Sequence, residues 1–456
     1  MSITPEPRRA APAMDIAPVA VVGGGLAGIS AAIALAEAGC PVTLYEARPR
    51  LGGATYSFQR GGLTVDNGQH VFLRCCTAYR GLLERIGGTA LVELQSRFDV
   101  RVLGGPGRAG RLRRAALPGP LHFMPALAGY RLLGPGDRIQ ALRGSIALGR
   151  LDPADPLLDT VTFGRWLAAH GQRAPVRQAL WELLAVAALN TGVDDAALGP
   201  AVKVFKTALL GRPDAADLGI PLVPLGELHD TAARAAITRR GGTVRLSAKV
   251  TAIEPGPAVI VDGARVEASA VVVATRHEQA AKLVPPGAAP GQDRWSGLDA
   301  SPIINVHAVY DRPVMRVPFV AVTGSPVQWV FDKTRVAGLR EGQYLAVSVS
   351  VADTWIDRPT ADLRKVFVPA LQSVFPAARQ ARMTDFFVTR ERRATFRQAP
   401  GSGALRPRSA TGWPGLYLAG AWTDTGWPDT MEGAVRSGLH AARLVRRHIR
   451  DQESAP

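Results

Sequence analysis

The chain has 456 residues, which is too long for one compact core and favours two domains. It is 47% hydrophobic and 20% charged, an ordinary composition for a folded protein. The net charge of +16 comes mostly from arginine, since only six of the 54 basic residues are lysine, and no nucleic-acid-binding module accompanies it. We therefore predict no nucleic-acid partner.

The three cysteines, Cys40, Cys75 and Cys76, have no metal-binding spacing and cannot form a disulfide framework. We predict no metal site and a reducing, cytoplasmic location. Residues 1–16 contain Arg8, Arg9 and Asp15 and are broken by prolines without an apolar segment, which predicts a disordered tail rather than a signal peptide. The sequence contains no run of eighteen uncharged apolar residues, so we predict no membrane span.

The first structured segment is a buried strand over 19–22 followed by glycines at G-x-G-x-x-G spacing, Gly23, Gly25 and Gly28. A helix follows the glycines, and a second strand ends at Glu46. The glycines allow a tight turn, close approach of a pyrophosphate and close packing of helix on strand, while the helix start offers free amides to phosphates. A terminal acid can bind ribose hydroxyls. This order predicts a dinucleotide site.

A second glycine pair, Gly52-Gly53, follows Arg48. The whole segment resembles the extended fingerprint of the FAD-dependent amine oxidase and carotenoid desaturase superfamily. The resemblance implies that Arg48 and the glycine pair lie along the FAD pyrophosphate and ribityl chain. An arginine commonly follows the pair there, but this chain has Ala54, so that contact is missing or supplied elsewhere. The alternative is that the pair forms only a loop.

A polar run, Asp66-Asn67-Gly68-Gln69-His70, follows two short strands that flank a turn at Gly61-Gly62. Asn-Gly indicates a turn, so a turn leading into a strand is one interpretation. The other is that this run presents polar groups to a site at the end of a strand. The pattern alone favours neither.

The segment 101–150 combines arginines with an apolar, proline-broken stretch over 117–127 and further apolar residues to 148. Such a stretch could lie on an anionic membrane surface, or its helices could close a substrate domain with solvated arginines. Residues 151–215 are predicted to be mainly helical, and 220–224 to be a break where the chain returns to the cofactor domain.

The remaining segments alternate between the two domains. Residues 225–290 are predicted to form a helix and strands, with a hairpin turn at Asp262-Gly263. Residues 291–404 contain strands and a helix, and His307 alternates with apolar residues as an ordinary sheet residue. Residues 405–448 form a strand ending at Gly420 and a helix from Met431, whose start would point at a flavin.

Four stretches together resemble the hydroxysqualene dehydroxylase family: Asp66–His70, Leu117–Leu133, Ala188–Thr191 and 419–438. The resemblance covers the chain after residue 17. It implies an α/β fold in which a Rossmann-like FAD-binding domain (17–100, 225–290 and 405–456) is interleaved with an α+β substrate-binding domain (101–224 and 291–404). It implies these FAD contacts: Gly23, Gly25, Leu26, Ala27, Gly28, Glu46, Ala47, Arg48, Gly52, Gly53, Val250, Gly420, Glu432, Gly433 and Ala434. Ala421 replaces the aspartate usual there, a role that Asp424 or a backbone amide could fill.

The resemblance also implies the reaction, in which an allylic hydroxyl is removed reductively from hydroxysqualene to give squalene for hopanoid synthesis. Loss of the hydroxyl needs an acid, for which Asp66, His70 and Asp424 are the candidates. A C30 isoprenoid substrate favours peripheral membrane contact through 117–148. The electron donor is not specified. Alternatives are a carotenoid-type desaturase, an amine oxidase, or a flavin-free scaffold for squalene synthesis.

Overall fold

A computed structural model describes residues 17–105 and 107–454, and every structural statement below concerns these residues. The predicted N-terminal tail, residues 1–16, lies outside them. The strands are β1 (Val19–Val22), β2 (Val42–Tyr45), β3 (Ser57–Arg60), β4 (Leu63–Asp66), β5 (Phe72–Leu73), β6 (Val92–Leu94), β7 (Asp99–Leu103), β8 (Ala109–Arg113), β9 (Leu218–Pro221), β10 (Thr243–Arg245), β11 (Val250–Glu254), β12 (Ala258–Val261), β13 (Ala264–Glu267), β14 (Val271–Val273), β15 (Ala300–Tyr310), β16 (Phe319–Val322), β17 (Trp329–Asp332), β18 (Gln343–Ser350), β19 (Met383–Phe396) and β20 (Leu416–Leu418).

Helices connect and cover these strands. They are α1 (Leu26–Glu37), α2 (Thr77–Ile86), α3 (Met124–Ala128), α4 (Pro135–Gly149), α5 (Phe163–Ala169), α6 (Ala174–Val176), α7 (Leu183–Leu189), α8 (Leu198–Phe205), α9 (Ala233–Arg239), α10 (His277–Leu283), α11 (Thr360–Val374) and α12 (Met431–Glu453). None of them is both long enough and apolar enough to cross a bilayer within the described part of the chain.

The first domain is built on a parallel sheet with strand order β10–β2–β1–β14–β20. Its central strands are short and rich in valine, and they are buried on both faces, as parallel strands generally are. Helices α1, α2, α9 and α12 cover one face. The antiparallel strands β11–β13 and helix α10 cover the other. Three separate chain segments supply this sheet, and the predicted α/β fold class is confirmed.

The second domain contains a seven-stranded sheet with the order β19–β15–β18–β17–β16–β7–β8. Its neighbours pair antiparallel except β16 and β7, which are parallel. Helix α11 packs on one part of it, while the helices between 124 and 210 pack with β7, β8, β16 and β17. The domain boundaries given above stay predictions.

Local turn signals predicted two hairpins correctly. Gly61-Gly62 joins β3 to β4, and Asp262-Gly263 joins β12 to β13, all four residues having positive φ. The break predicted over 220–224 is wrong at its start, because β9 extends to Pro221 and pairs with β5 and β6. Proline is tolerated there at the end of the strand.

Candidate active site

The glycine motif forms a cleft at the carboxyl end of β1, where the predicted dinucleotide site lies. Helix α1 begins after Gly25 without a side-chain cap, so its first amides have no capping acceptor and can receive an anion. The Glu46 carboxylate accepts N–H bonds from Gly24 at 2.7 Å and from Arg48 at 2.8 Å. These contacts hold the acid beside the helix start.

The space beside Gly25 fits a pyrophosphate. A Cβ built on Gly25 would meet only the Cα of Gly53, at 3.9 Å, whereas a Cβ on Gly53 would lie 2.8 Å from the Cα of Gly25. Both glycines therefore leave a gap that side chains would narrow. Ala54 is exposed, and the nearby Arg50 guanidinium stacks 3.5 Å above the ring of Tyr56.

The other predicted FAD contacts converge on the same cleft from distant parts of the chain. The carbonyl of Glu46 accepts the amide of Ala248, which brings the start of β11 and the buried Val250 beside it. Gly420 follows β20, and its amide donates to Ser437 on α12. Helix α12 lies so close to α1 that a Cβ on Gly438 would collide with the carbonyl oxygen of Ala27.

The loop that carries Ala421 is held by a buried arginine. Nη2 of Arg406 donates to the carbonyls of Ala421 at 2.9 Å and Thr423 at 2.6 Å. Asp424, predicted as a possible substitute contact and as a possible acid, is exposed. Its backbone amide bonds to Pro407. The structure therefore orders this loop through arginine–carbonyl bonds, without a side-chain carboxylate at 421.

The Glu432 carboxylate is engaged by α2 and by Arg436, and its predicted cofactor contact stays a prediction. The carboxylate accepts the amides of Ala78 and Tyr79 at the start of α2, at 3.1 and 2.8 Å, and pairs with Arg436 at 2.7 Å. Because the carboxylate is engaged with α2, only the backbone of Glu432 is available to a cofactor. Gly433 and Ala434 complete the start of α12, where a Cβ on Gly433 would lie 2.7 Å from the carbonyl oxygen of Pro428.

Asp66 is a buried anchor within the polar run. Its side chain accepts hydrogen bonds from Ser57 at 2.7 Å and the amide of Leu225 at 2.9 Å, and it pairs with Lys333 at 2.9 Å. Sequence reasoning missed Lys333. Its signal in the sequence is weak: it is one of only six lysines in the chain, and it comes directly after a strand. The catalytic assignment of Asp66 stays a prediction.

The Asn67-Gly68 step is held by hydrogen bonds to residues of both domains. The Asn67 side chain accepts a hydrogen bond from the amide of Tyr56 and donates one to Glu391. The backbone carbonyl of Asn67 accepts hydrogen bonds from the side chains of Asn305 and Thr389. The run connects β4, which pairs with β3, to β5, which pairs with β9 in a different sheet. The backbone bends at Asn67-Gly68, while Gln69 lines the cavity described below, and the structure does not decide between the two interpretations of this run.

His70 is not an acid at neutral pH. Burial lowers the pKa of His70 from 6.5 to about 4, with Lys333 adding to the lowering and Asp66 opposing it. The imidazole is therefore neutral near pH 7. A catalytic role for neutral His70 stays a prediction. His307, by contrast, is a fully buried sheet residue stacked on Phe387, as its alternation indicated.

A large apolar cavity lies between the two domains, and no local sequence pattern indicated it. Residues of β5, α2, α7, α8 and strands β16–β18 form its wall. One end of the wall is formed by residues between 427 and 432, which lie just before α12 and at its start. Aromatic side chains line much of it: Phe72, Tyr79, Phe98, Phe319, Trp329, Phe331 and Trp427. The cavity suits a long hydrocarbon better than a polar metabolite.

The Ala188–Thr191 stretch has a structural role. Asn190 ends α7 in a left-handed conformation, donates to the Ser301 carbonyl and accepts the amide of Val351. Thr191 accepts the amide of Gln398. These bonds attach the helices that line the cavity to the seven-stranded sheet.

Comparison with known proteins agrees with this geometry. A family model described as flavin containing amine oxidoreductase matches residues 26–446. Hydroxysqualene dehydroxylase from Rhodopseudomonas palustris is 30% identical over 94% of this chain and 98% of its own length. Zeta-carotene desaturase from Synechocystis is 26% identical, over 94% of this chain and 96% of its own. The solved structure of cyclohexylamine oxidase from Brevibacterium oxydans is 20% identical with a TM-score of 0.71, covering 95% of this chain and all of that one.

The parallel sheet, the glycine cleft and the family match together define an FAD-dependent oxidoreductase. The chain belongs to the flavin containing amine oxidoreductase family, on its hydroxysqualene dehydroxylase branch. The predicted family and the FAD cofactor are thereby confirmed.

Proposed function

We propose that this protein removes the allylic hydroxyl of hydroxysqualene reductively and releases squalene. The observation that carries the proposal is the aromatic-rich apolar cavity, whose wall includes the start of α12. Burial of each methylene contributes roughly 0.8 kcal/mol, so a C30 hydrocarbon would bind mainly through its chain. The similarity to hydroxysqualene dehydroxylase over nearly the whole chain supports the same substrate.

The chain's own residues would make such a reaction feasible. Aromatic faces such as those of Trp329 and Trp427 stabilise positive charge, and would favour an allylic cation formed when the hydroxyl leaves. The apolar wall keeps out water that would recapture the cation. Reduced flavin, when bound, supplies the hydride equivalent that the substrate needs.

We further propose that the substrate enters from a membrane surface contacted by 117–148. In this stretch, four large apolar side chains are 41–54% exposed: Leu117, Leu121, Ile139 and Ile146. Exposed Arg131 and Arg143 lie among them and suit anionic lipid headgroups. A substrate dissolved in the bilayer would then reach the cavity without crossing water.

A carotenoid-type desaturase is the second candidate, supported by the similarity to zeta-carotene desaturase. An amine oxidase is less well supported by the cavity. Among the described residues, Glu432 is the only carboxylate that lines it, and this carboxylate is already engaged by two amides and Arg436, so it is not free to bind a cationic amine.

The test is anaerobic mixing of the FAD-loaded, photoreduced protein with hydroxysqualene, followed by mass spectrometry and flavin absorbance. We expect one squalene per flavin reoxidised. Absence of squalene, together with reduction of the oxidised enzyme by a carotene, would instead identify a desaturase. A purified protein that carries no flavin would favour the scaffold interpretation.

A further inference from the structure

Lys203 is a cation in the wall of the apolar cavity. It lies on α8, is partly buried, and lines the cavity together with Val204. Its ammonium stands 5.3 Å from the ring centroid of Trp427, four residues before the start of α12. Within residues 17–105 and 107–454, it makes no ion pair within 4.0 Å and no hydrogen bond. The cavity therefore contains an ammonium group with free donors, near the end of the cavity where the start of α12 is predicted to contact the flavin.

The other proton-bearing groups of the wall are engaged or weak. Glu432 is the only other charged residue of the wall in the described part of the chain, and three donors already occupy its carboxylate. The Tyr79 hydroxyl bonds to His229 at 2.9 Å, and burial raises the pKa of Tyr79. Cys75 and Cys76 carry thiols, which are weak hydrogen-bond donors. Asp66, His70 and Asp424 are absent from the wall.

We propose that Lys203 is the catalytic acid that protonates the departing hydroxyl of the allylic substrate. This inference rests on the proposed function. The ammonium gives a proton to the hydroxyl oxygen as the C–O bond breaks, which yields water, an allylic cation and a neutral lysine. Reduced flavin, when bound, would supply the hydride that the allylic carbon needs, and solvent would return the proton to Lys203.

The charge balance of this step favours a cationic acid such as lysine. One positive charge is present before the step, on Lys203, and one afterwards, on the substrate. The step therefore adds no net positive charge to the cavity, and the desolvation cost stays nearly constant. The Trp427 ring already contacts the ammonium and presents the same π face to the cation that replaces it.

The experiment compares two substrates of one C30 skeleton, the allylic alcohol and its acetate ester, in single-turnover reoxidation of the photoreduced, full-length enzyme. Acetate leaves without prior protonation, so only the alcohol needs an acid. Lys203→Met should slow the alcohol reaction by about 10²–10⁴ and leave the ester within a few-fold of wild type. Lys203→Gln provides a second neutral variant if Lys203→Met misfolds, and Lys282→Met is the exposed-lysine control.

Lys203→Arg separates proton transfer from charge. An arginine keeps the positive charge but does not release its proton, so the alcohol reaction should stay slow. Full recovery in Lys203→Arg, or equal loss with both substrates, would overturn the acid role. So would a wild-type alcohol rate in folded, flavin-loaded Lys203→Met. If the wild-type enzyme itself fails to convert the alcohol, the proposed function fails, which is a different outcome.

Discussion

The ammonium of Lys333 and the carboxylate of Asp66 lie 2.9 Å apart and are almost fully buried. The pair joins the end of β4 to the loop after β17, and therefore links the polar run to the seven-stranded sheet. Asp66 also accepts bonds from Ser57 and Leu225. This arrangement gives Asp66 a structural role that its position in a polar run did not indicate.

We expect Asp66→Asn to destabilise the protein strongly, because it leaves the Lys333 charge buried without its partner. Breaking one side of such a pair costs about 3–5 kcal/mol. Urea unfolding measures the change, and Asp66→Asn combined with Lys333→Met should recover part of it. Asp385→Asn removes an exposed partner of Arg60 and should cost less than about 1 kcal/mol.

This comparison also tests the catalytic hypothesis for Asp66. A stable Asp66→Asn variant with slow flavin reoxidation would favour the acid role and contradict the structural one. His70→Gln should remain stable, since within the described residues the His70 ring makes no hydrogen bond to protein. If flavin-loaded His70→Gln also keeps its reoxidation rate, the catalytic hypothesis for His70 is wrong.

The second prediction concerns the glycine cleft. Gly25→Val should fold normally, because the nearest atom to a Cβ there is 3.9 Å away, yet it should purify without FAD because the side chain fills the phosphate site. Gly28→Val should lose about 1–3 kcal/mol or more, since its Cβ would meet the Gly23 carbonyl oxygen. Absorbance at the flavin band and thermal melting distinguish the two. Stoichiometric flavin in Gly25→Val would show that the pyrophosphate binds elsewhere.

Local features of the chain were predictable from sequence because their causes lie within a few residues. The glycine spacing at 23–28, the hairpin at Asp262-Gly263 and the helix from Met431 each depend on backbone conformation or periodicity. Long-range relationships were not predictable. Glu432 caps a helix more than 350 residues earlier in the chain, and no local pattern distinguishes that role from a cofactor contact.

The candidate site shows the same division between local features, which were predictable, and long-range features, which were not. The sequence indicated the FAD cleft, since its contacts recur in a known motif. The cavity wall combines residues from 69 to 432, so only tertiary packing reveals it. The single lysine on that wall has no motif around it, and Asp66 and His70 drew attention because they are adjacent in sequence. Asp66 is buried and His70 is half-buried, and neither side chain lines the cavity, which the chain order does not encode.

The third prediction is acid destabilisation through buried histidines. Burial lowers the pKa of His307 and His229 to about 3 and that of His70 to about 4. Between pH 6.5 and 4 the unfolded chain binds protons that the folded chain does not, so stability falls as pH falls. Each histidine contributes up to about 1.4 kcal/mol per pH unit in that range, and its full contribution is present above about pH 6.5.

Urea unfolding at several pH values checks this dependence. His307→Gln should reduce the slope between pH 6.5 and 4.5 by about one histidine's share, even if it lowers stability at every pH through loss of the bonds to Tyr344 and Thr389. Identical slopes in wild type and His307→Gln would contradict the prediction.

The last prediction concerns membrane binding by 117–148. Among described residues, the five exposed large hydrophobic side chains all lie between 117 and 157, a concentration that solubility alone would disfavour. Replacing Leu121, Ile139 and Ile146 together by serine should abolish sedimentation with anionic liposomes, because inserting each apolar side chain contributes about 1.5–3 kcal/mol. Leu157→Ser, which changes an exposed leucine outside the stretch, should bind like wild type.

The electrostatic part of this binding is tested separately. Arg131→Gln with Arg143→Gln should weaken binding to anionic but not neutral liposomes, and high salt should have the same effect on wild type, since exposed charges are screened beyond about 8–10 Å. Equal partitioning of wild type onto both liposome types would remove the role of the arginines. If wild type does not sediment with either type, 117–148 is not a membrane surface, and its apolar side chains need another partner.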